Sequence, residues 1–158
     1  DTDHLDIAAS VIAFNGKYCM TQEEHQSGTD RCYEVLQKVE RPDYVINIQG
    51  DEPFIDPEQI DLVASLLDGP TELATLVKRF EDIDEVFDSN VVKCVLGNND
   101  QALYFSRSPI PFNRNNENKN WLNDQKYYKH IGIYGYRSDV LAEVTQLPFS
   151  SLEKTESF

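Results

Sequence analysis

The chain predicts an α/β fold, with an open parallel or mixed sheet and an inserted antiparallel portion. Three observations carry this. Amphipathic helical stripes alternate with short strand-like runs through the first half, the pattern of a parallel α/β sheet. The run Tyr44-Val45-Ile46-Asn47-Ile48 is rich in residues that fill a pleated, doubly covered surface, and it stops abruptly at Gln49-Gly50-Asp51-Glu52-Pro53. Later, Gly97-Asn98-Asn99-Asp100 supplies turn chemistry between two strand-like segments, which marks a hairpin.

In chain order, Leu5, Ala8, Ala9 and Ile12 recur at helical spacing and predict a helix near residues 3–13. Lys17–Thr21 reads as a short strand. Ser27 with Asp30 three residues on is a capping-box variant, opening a helix with Cys32, Val35, Leu36 and Val39 on one face. The Tyr44–Ile48 run reads as a parallel strand. Asp56 caps, and Pro57 begins, a helix with the stripe Ile60, Val63, Ala64 and Leu67, stopped by Gly69-Pro70.

Leu73–Val77 and Val91–Leu96 are expected strands, the latter turning back into Gln101–Ser106. Residues 113–126, rich in Asn, Asp and Lys, read as an exposed loop pinned by Trp121. Lys129–Tyr136 is a further strand, and Asp139 opens a helix through Val140, Leu141, Val144 and Leu147. No internal repeat or low-complexity tract interrupts the pattern, and residues 1–158 are expected to form one domain.

Composition narrows the function classes. The 158 residues carry 14 basic and 28 acidic side chains, a net charge of −14. That balance repels DNA or RNA, whose sequence-independent binding rests on Lys and Arg neutralising phosphates. A hydrophobic content of 40% fits a globular chain. Cys19, Cys32 and Cys94 are an odd, widely spaced set without a CxxC, so free thiols and a reducing cytoplasm are expected. No apolar run reaches membrane-spanning length.

Gly50 and Pro53 force the backbone out of the sheet, which places Gln49, Asp51 and Glu52 beyond the carboxyl end of a strand. Open α/β sheets hold ligands there. Two roles are open to Asp51: a turn residue bonding its own backbone, or the anchor of a Mg²⁺ bearing substrate phosphates. Ser27-Gly28-Thr29 lies at a helix amino terminus, where N–H groups favour an anion or carbonyl acceptor; many such sequences are only caps. Along Lys129–Tyr136, His130, Gly132, Tyr134 and Tyr136 alternate with Ile131, Ile133 and Gly135, giving one polar-tipped face and one apolar face.

Five stretches together resemble the 3-deoxy-manno-octulosonate (Kdo) cytidylyltransferases. They are His25–Arg31, Gln49–Pro53, Ala102–Arg107, His130–Arg137 and Leu152–Ser157, in the family's order and approximate spacing. The resemblance implies a nucleotidyltransferase-type, Rossmann-like fold and transfer of CMP from CTP to Kdo, releasing pyrophosphate, in lipopolysaccharide synthesis. It implies that Asp51 is the catalytic Mg²⁺ ligand facing the triphosphate, with Glu52 shaping the turn. Ser27 and Gly28 would border the cytosine, and Gln49 would contact the nucleotide or the sugar acid. Arg107, a rigid guanidinium fork suited to a carboxylate, is expected with His130 and Tyr134 on the Kdo side.

The resemblance also implies a homodimer. The family's amino-terminal Gly- and Arg-bearing loop, its second metal-binding aspartate and a Glu-Gln pair are not among these residues. The 158 residues alone are therefore expected to be inactive. Two other readings also fit the sequence: a CMP-sialate synthetase-like enzyme, and a non-catalytic assembly module.

Overall fold

Side-chain caps set where the helices begin. Ser27 Oγ accepts from Asp30 N at 3.1 Å, and Asp56 accepts from Glu58 N at 3.0 Å with Pro57 in the first turn. Asp82 does the same for Asp84 N at 3.0 Å. Ser150 and Glu153 exchange side-chain-to-backbone bonds in a full capping box.

The computed structural model describes residues 1–25 and 27–157. Gln26, within the His25–Arg31 stretch, and Phe158 lie outside the described residues. The elements are α1 (Leu5–Ala13), α2 (Gly28–Lys38), β1 (Tyr44–Ile48), α3 (Pro57–Leu66), β2 (Leu73–Arg79) and α4 (Ile83–Phe87). There follow β3 (Lys93–Leu96), β4 (Ala102–Ser106), α5 (Trp121–Asp124), β5 (Tyr128–Arg137), α6 (Ser138–Val144) and α7 (Ser151–Glu156). The expected α/β class with an open sheet is what forms.

Two expectations are corrected. Lys17–Thr21 makes only an isolated parallel bridge, Thr2 with Met20, because its pairing reaches no further than Thr2, through Thr2 N–H to Cys19 O at 3.1 Å and Thr21 N–H to Thr2 O at 2.9 Å. Leu5 is 76% and Ile12 54% exposed, and Ala8 is the buried residue of α1. The second correction concerns direction. β1 was expected to be parallel, yet it pairs antiparallel with β5, from Tyr44 opposite Arg137 to Ile48 opposite Ile133. β3 with β4 and β3 with β5 are antiparallel too. Apolar content reports how well a strand is covered, not which way its neighbour runs.

Two compact units emerge, Asp1–Ala74 with Ile133–Leu147, and Thr75–Gly132 with Pro148–Phe158. In the first, Leu36, Tyr136 and Leu141 form a buried cluster, with Cys32, Tyr33, Val45 and Tyr134 packed on it. A Cβ placed on Gly135 of β5 would lie 2.8 Å from Val63 Cγ1 and 2.9 Å from Leu67 Cδ1, so α3 rests directly on that backbone. Beyond α3, Gly69 turns the chain at φ 100°, a left-handed conformation that favours glycine.

In the second unit Phe80, Val86, Trp121 and Tyr127 make the core. Trp121 stacks on Tyr127 with ring centroids 5.7 Å apart and donates Nε1–H to Asn116 O, so it pins the 113–126 segment as expected. The hairpin around residues 97–100 is present, with a register shift between Val95 and Leu96.

Candidate functional site

In the first unit the chain leaves β1 in a turn closed by Glu52 N–H to Gln49 O at 3.2 Å. Asp51 and Glu52 are exposed there, and nothing lies within 4 Å of a Cβ placed on Gly50. The carboxylates thus face open space at the strand's end. The described residues contain no group of three or more His, Cys, Asp or Glu side chains able to hold a metal ion by themselves. Adjacent exposed carboxylates suit instead a Mg²⁺ that keeps its waters and arrives on phosphate oxygens.

Beside this turn stands the amino terminus of α2. Gly28 is exposed, and its missing Cβ would sit 3.4 Å from Gln49 Oε1 and 3.5 Å from Asn47 Nδ2. The structure therefore brings Gly28 and Gln49 close together. Ser27 is engaged as the cap: its Oγ accepts from Asp30 N and donates to Asp30 Oδ2 at 2.6 Å. Thr29 Oγ1 lies 3.4 Å from the Tyr136 hydroxyl, which ties the first turn of α2 to β5.

The loop before α2 is clamped by Glu34. Its carboxylate accepts from His25 Nε2, Lys38 Nζ and Gln22 N–H. These bonds, that from His25 first, hold the Glu34 carboxyl down at about 2. Arg31 is structural, reaching Thr21 Oγ1 at 2.6 Å and Asp3 Oδ2 at 3.1 Å.

Tyr134, opposite Asn47 in the β1–β5 register, stacks on Tyr136 with centroids 6.0 Å apart. Burial, with the Tyr136 ring beside it, pushes its phenol up to about 12, so it remains a neutral hydrogen-bonding group at physiological pH. The expected open polar face of β5 is partly closed, since Tyr136 is only 4% exposed. Tyr136 packs beneath α2 and α6 as part of the core.

The second unit holds the other two expected residues. His130 Nε2 lies 2.8 Å from Thr75 Oγ1, whose hydroxyl also reaches Ile131 O at 3.2 Å. A carbonyl can only accept, so the Thr75 proton serves Ile131 when His130 carries its hydrogen on Nε2. Burial pushes the His130 imidazole down, favouring the neutral ring, which meets Phe105 edge-on at 5.0 Å.

Arg107 is held on several sides by backbone oxygens. Nε donates to Glu156 O at 2.5 Å, Nη1 to Ser89 O at 3.1 Å and Nη2 to Ser157 O at 2.9 Å. Its backbone is fixed too. Lys93 Nζ donates to Arg107 O at 2.6 Å, and to Asp88 O and Val91 O at 2.7 Å. The Glu156 carboxylate accepts from Ser106 Oγ at 2.7 Å and Arg107 N–H at 3.0 Å.

Sequence reasoning passed over Asn47. It is 4% exposed, and its Nδ2 is the one buried side-chain polar atom without a hydrogen-bond partner among the described residues. The available signal was a single amide inside a Val/Ile strand, two residues before Gln49.

Residues 1–158 match the cytidylyltransferase family. The chain is 49% identical over 158 residues to the 3-deoxy-manno-octulosonate cytidylyltransferase of Cytophaga hutchinsonii, covering 99% of this chain and 63% of that protein. It is 53% identical over 161 residues to the protein so named in Phocaeicola vulgatus, covering 99% and 64%. A solved structure of CMP:2-keto-3-deoxy-manno-octonic acid synthetase complexed with CTP superposes with a TM-score of 0.89 at 42% identity. That match covers 99% of this chain and 62% of that one. The chain thus spans just under two thirds of the length of these relatives, and along all of its own length it belongs to the cytidylyltransferase family.

Proposed function

We propose that this chain is part of an enzyme that transfers CMP from CTP to 3-deoxy-manno-octulosonate, in lipopolysaccharide biosynthesis. The observation that carries the reading is the rim where β1 ends. There Gln49 stands beside the amino terminus of α2, with Asp51 and Glu52 exposed in the turn that follows it, in a chain 42% identical to a synthetase complexed with CTP. The anomeric hydroxyl oxygen of the sugar acid forms a bond to the α-phosphorus of CTP. The bond from that phosphorus to pyrophosphate breaks, and the hydroxyl proton passes to solvent or a base. In phosphoryl-type transfer most of the acceleration comes from positioning and charge stabilisation.

Each residue has a part in this scheme. Asp51, with Glu52 beside it, would hold Mg²⁺, which supplies positive charge against the triphosphate. Ser27 and Gly28 border the base, small enough to let a planar ring approach the backbone. Gln49 donates to or accepts from the nucleotide. Arg107, fixed by three carbonyls, offers a stationary positive charge for the sugar acid's carboxylate, while neutral His130 and Tyr134 offer hydrogen bonds to its hydroxyls. We further propose a homodimer acting in the cytoplasm, where the free thiols Cys19, Cys32 and Cys94 stay reduced.

The test supplies the full-length protein with CTP and Mg²⁺, plus either 3-deoxy-manno-octulosonate or sialic acid, and follows pyrophosphate. Release with the first sugar acid alone is expected. Release with sialic acid alone, or with neither, overturns the reading.

A further inference from the structure

We propose that Asn47 is a positioning residue of the nucleotide site, acting through Gln49. It rests on the reading above that Gln49 faces the nucleotide. Asn47 carries a carboxamide in the middle of a strand whose other four residues are Tyr, Val and two Ile. A buried N–H group without an acceptor destabilises the fold, and a Val or Leu there would remove that penalty. The structure nevertheless keeps the amide, 4% exposed, with Nδ2 unpartnered among the described residues.

An atom so covered reaches a ligand only through a neighbour. The polar neighbour on the ligand side is Gln49, which shares Asn47's face of β1 because side chains alternate along a strand. Its Oε1 and Asn47 Nδ2 lie within 3.5 Å of one point, the place where Gly28 would carry a Cβ. Gly28 leaves that place empty, so the two amides close on each other without displacing a side chain.

When a ligand settles at the amino terminus of α2, Asn47 Nδ2 donates to Gln49 Oε1. That bond decides which end of the Gln49 amide points outward. With Oε1 turned to Asn47, the Gln49 NH₂ faces the ligand, and the site selects an acceptor such as a pyrimidine carbonyl or a phosphate oxygen. Without Asn47 the amide turns over at little cost and presents either end. The α2 terminus thereby becomes a site that favours acceptors on two counts, helix N–H groups and an oriented carboxamide.

A double-mutant cycle on the full-length protein tests this, with CTP and Mg²⁺ titrated calorimetrically into wild type, Asn47→Leu, Gln49→Leu and the double variant. Asn47→Leu is expected to weaken CTP binding about tenfold, the equivalent of ~1.4 kcal/mol. The double variant should bind no more weakly than Gln49→Leu alone. The ligand-free thermal midpoint of Asn47→Leu should not fall, which a merely structural role would require.

Unchanged CTP binding by Asn47→Leu, or losses that add across the cycle, overturns the proposal. Should Asn47→Leu fail to fold, Asn47→Ala carries the same cycle. If wild type itself binds no CTP, the functional reading fails, and that outcome is separate from a flat cycle on a protein that binds CTP.

Discussion

Two polar clusters in this molecule are built on opposite principles. Around Lys93 every ammonium hydrogen has a destination: three N–H donors meet three backbone carbonyls, and the residue is fully buried. Burial pushes the Lys93 ammonium down from its usual value, and the Asp88 carboxylate, with Glu156, acts against that shift. At the end of β1 the opposite holds, with exposed carboxylates at 51 and 52 and a buried amide at 47 left without an acceptor. A saturated cluster fixes backbone. An unsaturated one keeps interactions in reserve for something that arrives, and natural proteins accept such local cost at functional sites.

Substitutions should separate the two kinds of cluster. The largest effect is expected at the open rim: Asp51→Asn in the full-length enzyme should cut Mg²⁺-dependent pyrophosphate release by ~10²-fold or more while leaving the urea midpoint in place. Full retained turnover would remove Asp51 from the chemistry. At the sealed cluster the effect should move from activity to stability. Lys93→Met strands three carbonyls, and a loss of at least ~3 kcal/mol is expected by urea denaturation, at about 1–3 kcal/mol for each buried acceptor left unpaired. A variant as stable as wild type would mean that those carbonyls find other donors.

Asn47→Leu should be stability-neutral or gain about 1 kcal/mol in the same assay, since it removes an orphaned donor. A marked loss would make Asn47 part of the scaffold after all. The smallest effect is confined to acid. The Glu34 carboxyl is held below its ordinary 4.5, at about 2, by the folded state. Its stabilisation is present above 4.5 and lost as pH falls toward 2. Glu34→Gln should therefore flatten the stability decline across that window, and an unaltered slope would show that Glu34 is not its source.

Much of this was legible in the sequence because caps and turns are local. Ser27, Asp56-Pro57, Gly69-Pro70 and the residue 97–100 turn need only their neighbours to do their work, and each stands where expected. The rim residues 49–53 were legible for the same reason. Strand direction was not, because β1 finds its partner some ninety residues later in β5 and no local pattern encodes that choice. The role of Glu34 was equally hidden, since its partners Gln22 and His25 lie across a loop. Lys93 is one residue of the expected Val91–Leu96 strand, and nothing local in that strand encodes the three carbonyls it meets. Asn47 was passed over because an amide in an apolar run looks like noise until its neighbours are known.

Gly135 has one more consequence. Its backbone is a spacer of fixed thickness beneath Val63 and Leu67, and the turn bearing Asp51 runs straight into the helix that rests on it. A single added methyl there would act as a wedge, at a cost of ~1–3 kcal/mol. The displaced helix would carry the Asp51 carboxylate with it, so the precision of that carboxylate is set partly by an atom the chain does without.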